Sequence, residues 1–150
     1  DWKWISNGIP GRFHGDYHFE NIILSKKSKK FVLLDWRQDF AGYLNFGDIY
    51  YDLAKLMHGI IVSHEFVVKK KFKISWNFQN IKFNMQRSKN HKICQKIFEK
   101  WILENGYDLK KVRILTAIIY LNIAALHHYP YSLLLFALGK SMLHEEIIKN

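Results

Sequence analysis

The sequence predicts a mainly α-helical fold with a small β-hairpin near its start, built as a single domain over residues 1–150. Hydrophobic residues make up 49% of the chain, which is enough for one sizeable core and excludes a disordered or collagen-like chain. Helical spacing of the apolar residues begins at Gly47, whereas the preceding part alternates short apolar runs with loops. The single cysteine, Cys94, excludes a disulfide framework or a cysteine-rich zinc module.

Two apolar runs, residues 21–25 and 31–36, are joined by a lysine-rich turn, a pattern typical of a β-hairpin. The second run is almost continuously hydrophobic, which predicts that it is buried on both faces. We therefore divide the chain into a loop-and-hairpin region, residues 13–46, and a helical region, residues 47–150.

Residues with helix-starting side chains precede most of the predicted helices. Asp48 is placed to cap the first of them, the second begins at about Ser88, and Asp108 is placed to cap the third. The second of these helices ends near Gly106, and the third ends at Tyr129-Pro130. Residues 66–88 show no clear pattern, and a last helix follows the proline. The apolar positions that define these four helices are Leu53, Leu56, Met57, Ile60 and Ile61; Ile93, Ile97, Trp101 and Ile102; Val112, Leu115, Ile119 and Ala125; and Leu133, Phe136, Leu143 and Ile147.

The chain is basic, with 23 Lys and Arg against 13 Asp and Glu and a formal net charge of +10. Its lysine clusters, residues 26–30 and 69–73, lack the interleaved aromatic residues of a stacking platform, so we expect solvated surfaces and no nucleic-acid partner. The longest mostly apolar run, residues 114–126, is shorter than the roughly 20 residues of a membrane span. No signal peptide is recognisable, and we expect a cytoplasmic protein with no membrane span.

Polar residues cluster directly before the first strand, and one carboxylate follows the second. The predicted hairpin brings both ends together, so Asp16, Asn21 and Asp35 should converge. An amide and a carboxylate suit Mg²⁺, which shares phosphate oxygens, and a further carboxylate can accept the proton of an attacking hydroxyl. These groups are the ones that phosphoryl transfer needs.

The stretch His14-Gly15-Asp16-x-His18-x-x-Asn21 has the spacing of the kinase catalytic loop and resembles the aminoglycoside phosphotransferase and choline kinase family. Leu34-Asp35-Trp36 is similar to the Ile-Asp-Trp of that family. The stretch from Gly47 to Ala54 is similar to its Gly-Asp-Pro-x-x-Asp-Leu-Ala segment. The resemblance covers residues 13–57, and three motifs in the family's order are a far stronger signal than one.

The resemblance implies the helical C-terminal lobe of a protein-kinase-like fold and an ATP-dependent kinase acting on a hydroxyl of a small molecule. It implies that Asp16 is the catalytic base, that Asn21 and Asp35 bind Mg²⁺, and that Asp48 is a buried brace for the catalytic loop. The histidines of the loop, His14 and His18, would be structural.

Two substitutions depart from the family pattern, Arg37 after the Asp-Trp pair and Ile49 in place of proline. No glycine-rich flap or strand lysine precedes the loop, so we expect an N-terminal lobe to be missing from this chain and supplied by the same or a separate polypeptide. The acceptor candidates are an aminoglycoside, choline or ethanolamine, a sugar, or a surface-polysaccharide precursor.

Two alternatives remain at this stage. One is a basic binding module without catalysis. The other is a metal-dependent hydrolase, in which His14, Asp16 and His18 would hold the metal, since imidazole and carboxylate both bind zinc.

Overall fold

The computed structural model describes residues 1–148, of which about half are helical. The fold is mainly α, as predicted, but among the described residues it has three two-stranded antiparallel sheets where the sequence predicted one hairpin. The helices are α1 (Trp2–Ser6), α2 (Ile49–Ile61), α3 (His64–Val68), α4 (Lys89–Glu104), α5 (Leu109–Ala124) and α6 (Tyr131–Ile148). The strands are β1 (Pro10–Gly11), β2 (Ile22–Leu24), β3 (Phe31–Leu33), β4 (Gly47–Asp48), β5 (Phe72–Trp76) and β6 (Ile81–Met85). They pair as β1–β4, β2–β3 and β5–β6.

The core lies where α2 and α6 pack against α5. Gly139 of α6 allows a close approach, because a Cβ there would lie 2.8 Å from the backbone oxygen of Ala117 in α5. Close packing of this kind gives a rigid body from which the loops of the candidate site project. The largest fully buried side chains are Tyr120, Met57, Ile60, Ile102, Leu134, Leu135, Val112 and Thr116.

The predicted helix starts are confirmed. The side chains of Asp48, Ser88 and Asp108 accept hydrogen bonds from the backbone N–H groups of the first turns of α2, α4 and α5. These bonds satisfy donors that have no partner within the helix. Helix α5 ends at Ala124, five residues before Tyr129, where the sequence predicted its end.

The β2–β3 hairpin forms in the predicted place, with Ile22 opposite Leu33 and Leu24 opposite Phe31. The predicted burial of its second strand on both faces is wrong, because Phe31 is 71% exposed and Val32 is 45% exposed. The short strands contact chiefly each other and the preceding 3₁₀ turn, Phe19–Asn21, so the hairpin stands away from the core.

The predicted inner stripe of α4 is also wrong in part. Ile93, Ile97 and Trp101 are exposed, and Ile102 is the one predicted position that is buried. The helix packs through Ile102 and Phe98, four residues apart, so the inward stripe lies one position further along than the sequence suggested.

The region without a clear pattern contains α3 and the β5–β6 hairpin, whose strands run antiparallel from Phe72↔Met85 to Trp76↔Ile81. Its inner face packs on the core and its outer face is polar. No helix among residues 1–148 combines the length and the apolar character needed to cross a lipid bilayer.

Candidate active site

The loop that precedes the first hairpin is held by a carboxylate of α2. Asp52 accepts hydrogen bonds from the backbone N–H of His14 at 2.6 Å and from that of Gly15 at 2.8 Å. Bonds from N–H groups to an ionised carboxylate are stronger than those between neutral groups, and this one fixes two successive peptides. Asp52 therefore fixes the loop on the first turn of α2.

The structure does not place Asp48 against the loop that the sequence predicted it would brace. Its Oδ1 accepts hydrogen bonds from Tyr50 N in α2 and from Ile9 N beside β1, both at 3.0 Å, and from no group of the loop. Asp48 stands before the helix and pairs with Pro10 in the β1–β4 ladder, whereas Asp52 lies one turn further on, beside the loop. The sequence signal for the role of Asp52 was its place as a second carboxylate in the first turn of α2, the helix that Asp48 caps.

Asp16 lies at the centre of a charged cluster, and its side chain is 15% exposed. Lys55 Nζ of α2 lies 2.7 Å from Asp16 Oδ1, while His18 Nε2 and Arg37 lie 3.4 and 3.3 Å from Oδ2. Burial raises the pKa of the Asp16 carboxyl, but the hydrogen bond and charge of Lys55, with the charges of His18 and Arg37, outweigh burial and lower this pKa overall. Asp16 is therefore a carboxylate at neutral pH, and sequence reasoning missed Lys55.

Asn21 is tied to the loop by its amide nitrogen, which donates to the backbone oxygen of Asp16 at 3.0 Å. His18 lies between two carboxylates, with Nδ1 2.9 Å from Glu20 and Nε2 3.4 Å from Asp16. Glu20 also accepts from the backbone N–H of His64 at the start of α3. These contacts fix the orientation of Asn21 and connect the loop to α3.

Asp35 follows β3 with a φ of 59°, in the left-handed region that few residues other than glycine adopt. Backbone bonds on both sides hold it there, from Leu34 N to Asn21 O and from Arg37 N to His14 O, each 2.9 Å long. The Asp35 side chain is exposed, and within residues 1–148 no group donates a hydrogen bond to it. The backbone thus joins the Asp35 segment to the loop.

His14 is buried and has a structural position. Its Nδ1 accepts a hydrogen bond from Asp16 N at 3.3 Å, and its ring centroid lies 4.9 Å from that of Trp36. Gly15 has a φ of 79°, and a Cβ there would lie 2.6 Å from the Arg37 side chain, so only glycine fits this turn.

No three His, Cys, Asp or Glu side chains within the described part of the chain form a group that could hold a metal. The three residues of the hydrolase alternative, His14, Asp16 and His18, do not form such a group.

Residues 2–69 match the phosphotransferase enzyme family, abbreviated APH. This phosphotransferase segment runs from α1 to the end of α3, and every candidate site residue named above lies within it. The match confirms the resemblance indicated by the loop motif. Helices α4 to α6 lie outside the segment. No curated protein and no solved structure gave a significant match to the chain.

A cavity of ≈ 340 Å³ opens beside Asp16 in the phosphotransferase segment. Two cationic side chains, Arg37 and Lys55, line it together with the carboxylates Asp16 and Asp39. The rest of its wall consists of Gly15, Phe40, Ala41 and Tyr51. A small molecule in this cavity would be in contact with Asp16.

Stability should fall in acid because of His58, a half-buried residue of α2 that packs against Tyr120. Neither of its ring nitrogens has a hydrogen-bond partner among residues 1–148. Burial, with the charges of Lys55 and His18, lowers the pKa of His58 to about 4, although Asp16 and Glu20 partly oppose this shift. Below the ordinary pKa of 6.5 the unfolded chain binds a proton that the folded chain does not, so stability falls as the pH drops from 6.5 to about 4.

The loss should reach about 3 kcal/mol, and urea unfolding at several pH values measures it. His58→Phe should flatten this pH dependence, whereas His128→Gln, at an exposed histidine, should leave it unchanged. An equal acid loss in His58→Phe would contradict the assignment.

Proposed function

We propose that the chain carries the catalytic machinery of an ATP-dependent phosphotransferase that phosphorylates a hydroxyl of a small molecule. The observation that carries the proposal is the pair of backbone bonds that joins the Asp35 turn to the His14–Asn21 loop, inside the segment that matches the phosphotransferase family. Asp16 is proposed as the base, and Asn21 and Asp35 as the Mg²⁺ ligands. His14, His18 and Asp52 would hold the loop in place.

The donor set fits Mg²⁺. The amide nitrogen of Asn21 is engaged by Asp16 O, which leaves its oxygen as the atom for a cation, and the Asp35 carboxylate is exposed without a donor among residues 1–148. Amide and carboxylate oxygens are the ligands that Mg²⁺ takes in proteins. When bound, Mg²⁺ neutralises charge on the phosphate oxygens of ATP.

In the proposed reaction the acceptor oxygen attacks the γ-phosphorus, the bond from this phosphorus to the β,γ-bridging oxygen breaks, and ADP leaves. Asp16 accepts the proton of the acceptor hydroxyl. Its low pKa keeps it ionised and able to orient that hydroxyl, and Lys55 and Arg37 add positive charge beside the transferred group. Much of the rate would come from positioning and charge stabilisation, which the rigid loop supplies.

The net charge of +10 favours a neutral or anionic acceptor over a cationic one such as an aminoglycoside or choline. The cavity beside Asp16 adds no preference, because Arg37 and Lys55 are matched in its wall by Asp16 and Asp39. We propose a sugar or a polysaccharide precursor in preference to these.

The exposed β2–β3 hairpin and Trp36 would contact a nucleotide-binding lobe, from the same or a separate polypeptide. The enzyme would work in the cytoplasm.

Asn21→Ala and Asp35→Ala should each weaken the binding of Mg²⁺-ATP, because each removes one oxygen ligand. Titration calorimetry with and without Mg²⁺ measures the effect, and Glu104→Gln, at an exposed carboxylate of α4, is the control. Elemental analysis should find no tightly held zinc. Mg²⁺-ATP affinities equal to that of the parent chain in both variants, or one zinc per chain, would contradict the proposed metal site.

A further inference from the structure

The tip of the β5–β6 hairpin presents two aromatic side chains to solvent. Phe78 is fully exposed, and Trp76 is 67% exposed. The turn between the strands is ordered by Asn77, whose Oδ1 accepts hydrogen bonds from the backbone N–H groups of Gln79 at 3.2 Å and Asn80 at 2.8 Å. The two aromatic rings are thus held outward by a defined turn.

The hairpin is anchored to the body of the protein by its inner face. Phe72, Ile74, Phe83 and Met85 alternate with outward residues along the two strands and pack against the core. Because this apolar face packs against the core, it fixes the strands on the body of the protein and the tip projects from a set position.

The outer face of the hairpin is cationic. Lys73 and Lys82 are exposed there, opposite Asn84 and Ser75 across the ladder. The preceding residues 69–71 are also lysines. Glu65 pairs with Lys69 at 2.7 Å and with Lys71 at 3.7 Å. Within residues 1–148, Lys70, Lys73 and Lys82 have no carboxylate partner.

A polar cavity of ≈ 270 Å³ lies at the base of this cationic face. Its lining has three ammonium groups, two amides and no carboxylate: Lys70, Lys71, Lys73, Asn84 and Gln86, with Phe72. This is the chemistry of a site for a phosphate-bearing headgroup.

The aromatic tip and the lysines lie at different heights along the hairpin. Trp76 lies three residues beyond Lys73 on β5, which is about 10 Å along an extended strand and on the opposite face of the ladder, so both groups meet a bilayer when the hairpin enters it end-on. Interfacial segments bury their apolar groups roughly 5–10 Å deep, at the boundary of headgroups and acyl chains. With the tip at that depth, the lysines would stand at the level of the lipid phosphates.

We propose that the β5–β6 hairpin docks the protein on a bilayer containing anionic phospholipids, with Trp76 and Phe78 inserted and the lysines on the headgroups. The net charge of +10 complements such a surface. A bilayer fits better than a nucleic acid, because the aromatic side chains end a projecting turn and do not line a groove along which bases could stack. This inference does not depend on the proposed catalytic function.

Flotation of the 150-residue chain with vesicles tests the proposal. Binding should occur with phosphatidylcholine vesicles that contain phosphatidylserine and should be absent with phosphatidylcholine alone. The double variant Lys73→Gln/Lys82→Gln should bind about tenfold to thirtyfold more weakly, since each lysine near the surface contributes to attraction. Phe78→Ser should also weaken binding, and this position is solvent-exposed, so the fold should be retained, as thermal unfolding can verify.

The matched control is Lys26→Gln/Lys27→Gln, which removes the same charge from the exposed turn of the other hairpin and should retain most of the affinity. Inorganic phosphate at millimolar concentration should not displace the chain from vesicles. The proposal would be overturned if the two lysine pairs weakened binding equally or if the chain bound neutral vesicles. It would also be overturned if Phe78→Ser bound with unchanged affinity, or if duplex RNA bound more tightly and displaced the vesicles.

Discussion

Asp16→Asn should reduce phosphoryl transfer by about a hundredfold to ten-thousandfold, the usual contribution of a positioned general base. The substitution preserves the size of the side chain but removes the proton acceptor and its charge. Because Lys55 and Arg37 surround this carboxylate, the variant loses ion pairs as well, yet the fold should survive. Transfer of labelled phosphate from ATP to acceptor, with the nucleotide-binding lobe supplied, measures the effect.

The pH profile of Lys55→Met separates a catalytic from a structural role for Asp16. Without Lys55 the pKa of the Asp16 carboxyl should rise, because burial then opposes ionisation with less compensation. The acidic limb of kcat/KM should therefore move to higher pH, and Lys55→Arg should restore it in part. Near-normal transfer in Asp16→Asn would show that Asp16 is not the base.

Asp52→Ala should destabilise the protein by about 2–5 kcal/mol, because it leaves two part-buried N–H groups without their acceptor. The same substitution should abolish most transfer, since the loop that carries Asp16 loses its attachment to α2. Urea unfolding and the transfer assay measure the two effects.

Asp48→Ala is the matched control, one helical turn away. Asp48 also accepts two backbone hydrogen bonds, but neither comes from the catalytic loop. Loss of this cap should cost about 1 kcal/mol and reduce transfer much less. If Asp48→Ala reduced transfer more severely than Asp52→Ala, the brace would be Asp48 and not Asp52.

Local signals in the sequence predicted the first hairpin and three helix starts. Capping depends on one side chain and its own helix, so the caps Asp48 and Asp108 and the helix start near Ser88 could be assigned without knowledge of the tertiary structure. The motif from His14 to Asn21 likewise lies within one short segment, and the hairpin that follows brings Asp35 back to it.

Contacts between distant segments could not be predicted in the same way. Asp52 and Lys55 contact the loop from α2, and Asp52 lies 38 residues along the chain from its partner His14. Nothing in the sequence spacing identifies Asp52 or Lys55 as partners of the loop. The stripe of α4 was misjudged because the exposed Ile93 and Ile97 are as apolar as core residues. The β5–β6 hairpin was missed although apolar and polar residues alternate along both strands, because no glycine or proline marks the turn between them.

The most direct test of the proposed site is the position at which a metal-nucleotide complex binds. Mn²⁺ can replace Mg²⁺ and broadens NMR signals of nearby nuclei, so Mn²⁺-ATP should selectively broaden the backbone amide signals of Asn21, Asp35 and Trp36. The same broadening should be lost in Asp35→Ala, and the amides of α4 should be unaffected in both proteins. Selective broadening elsewhere on the chain, or broadening at these residues that persists in Asp35→Ala, would contradict the account.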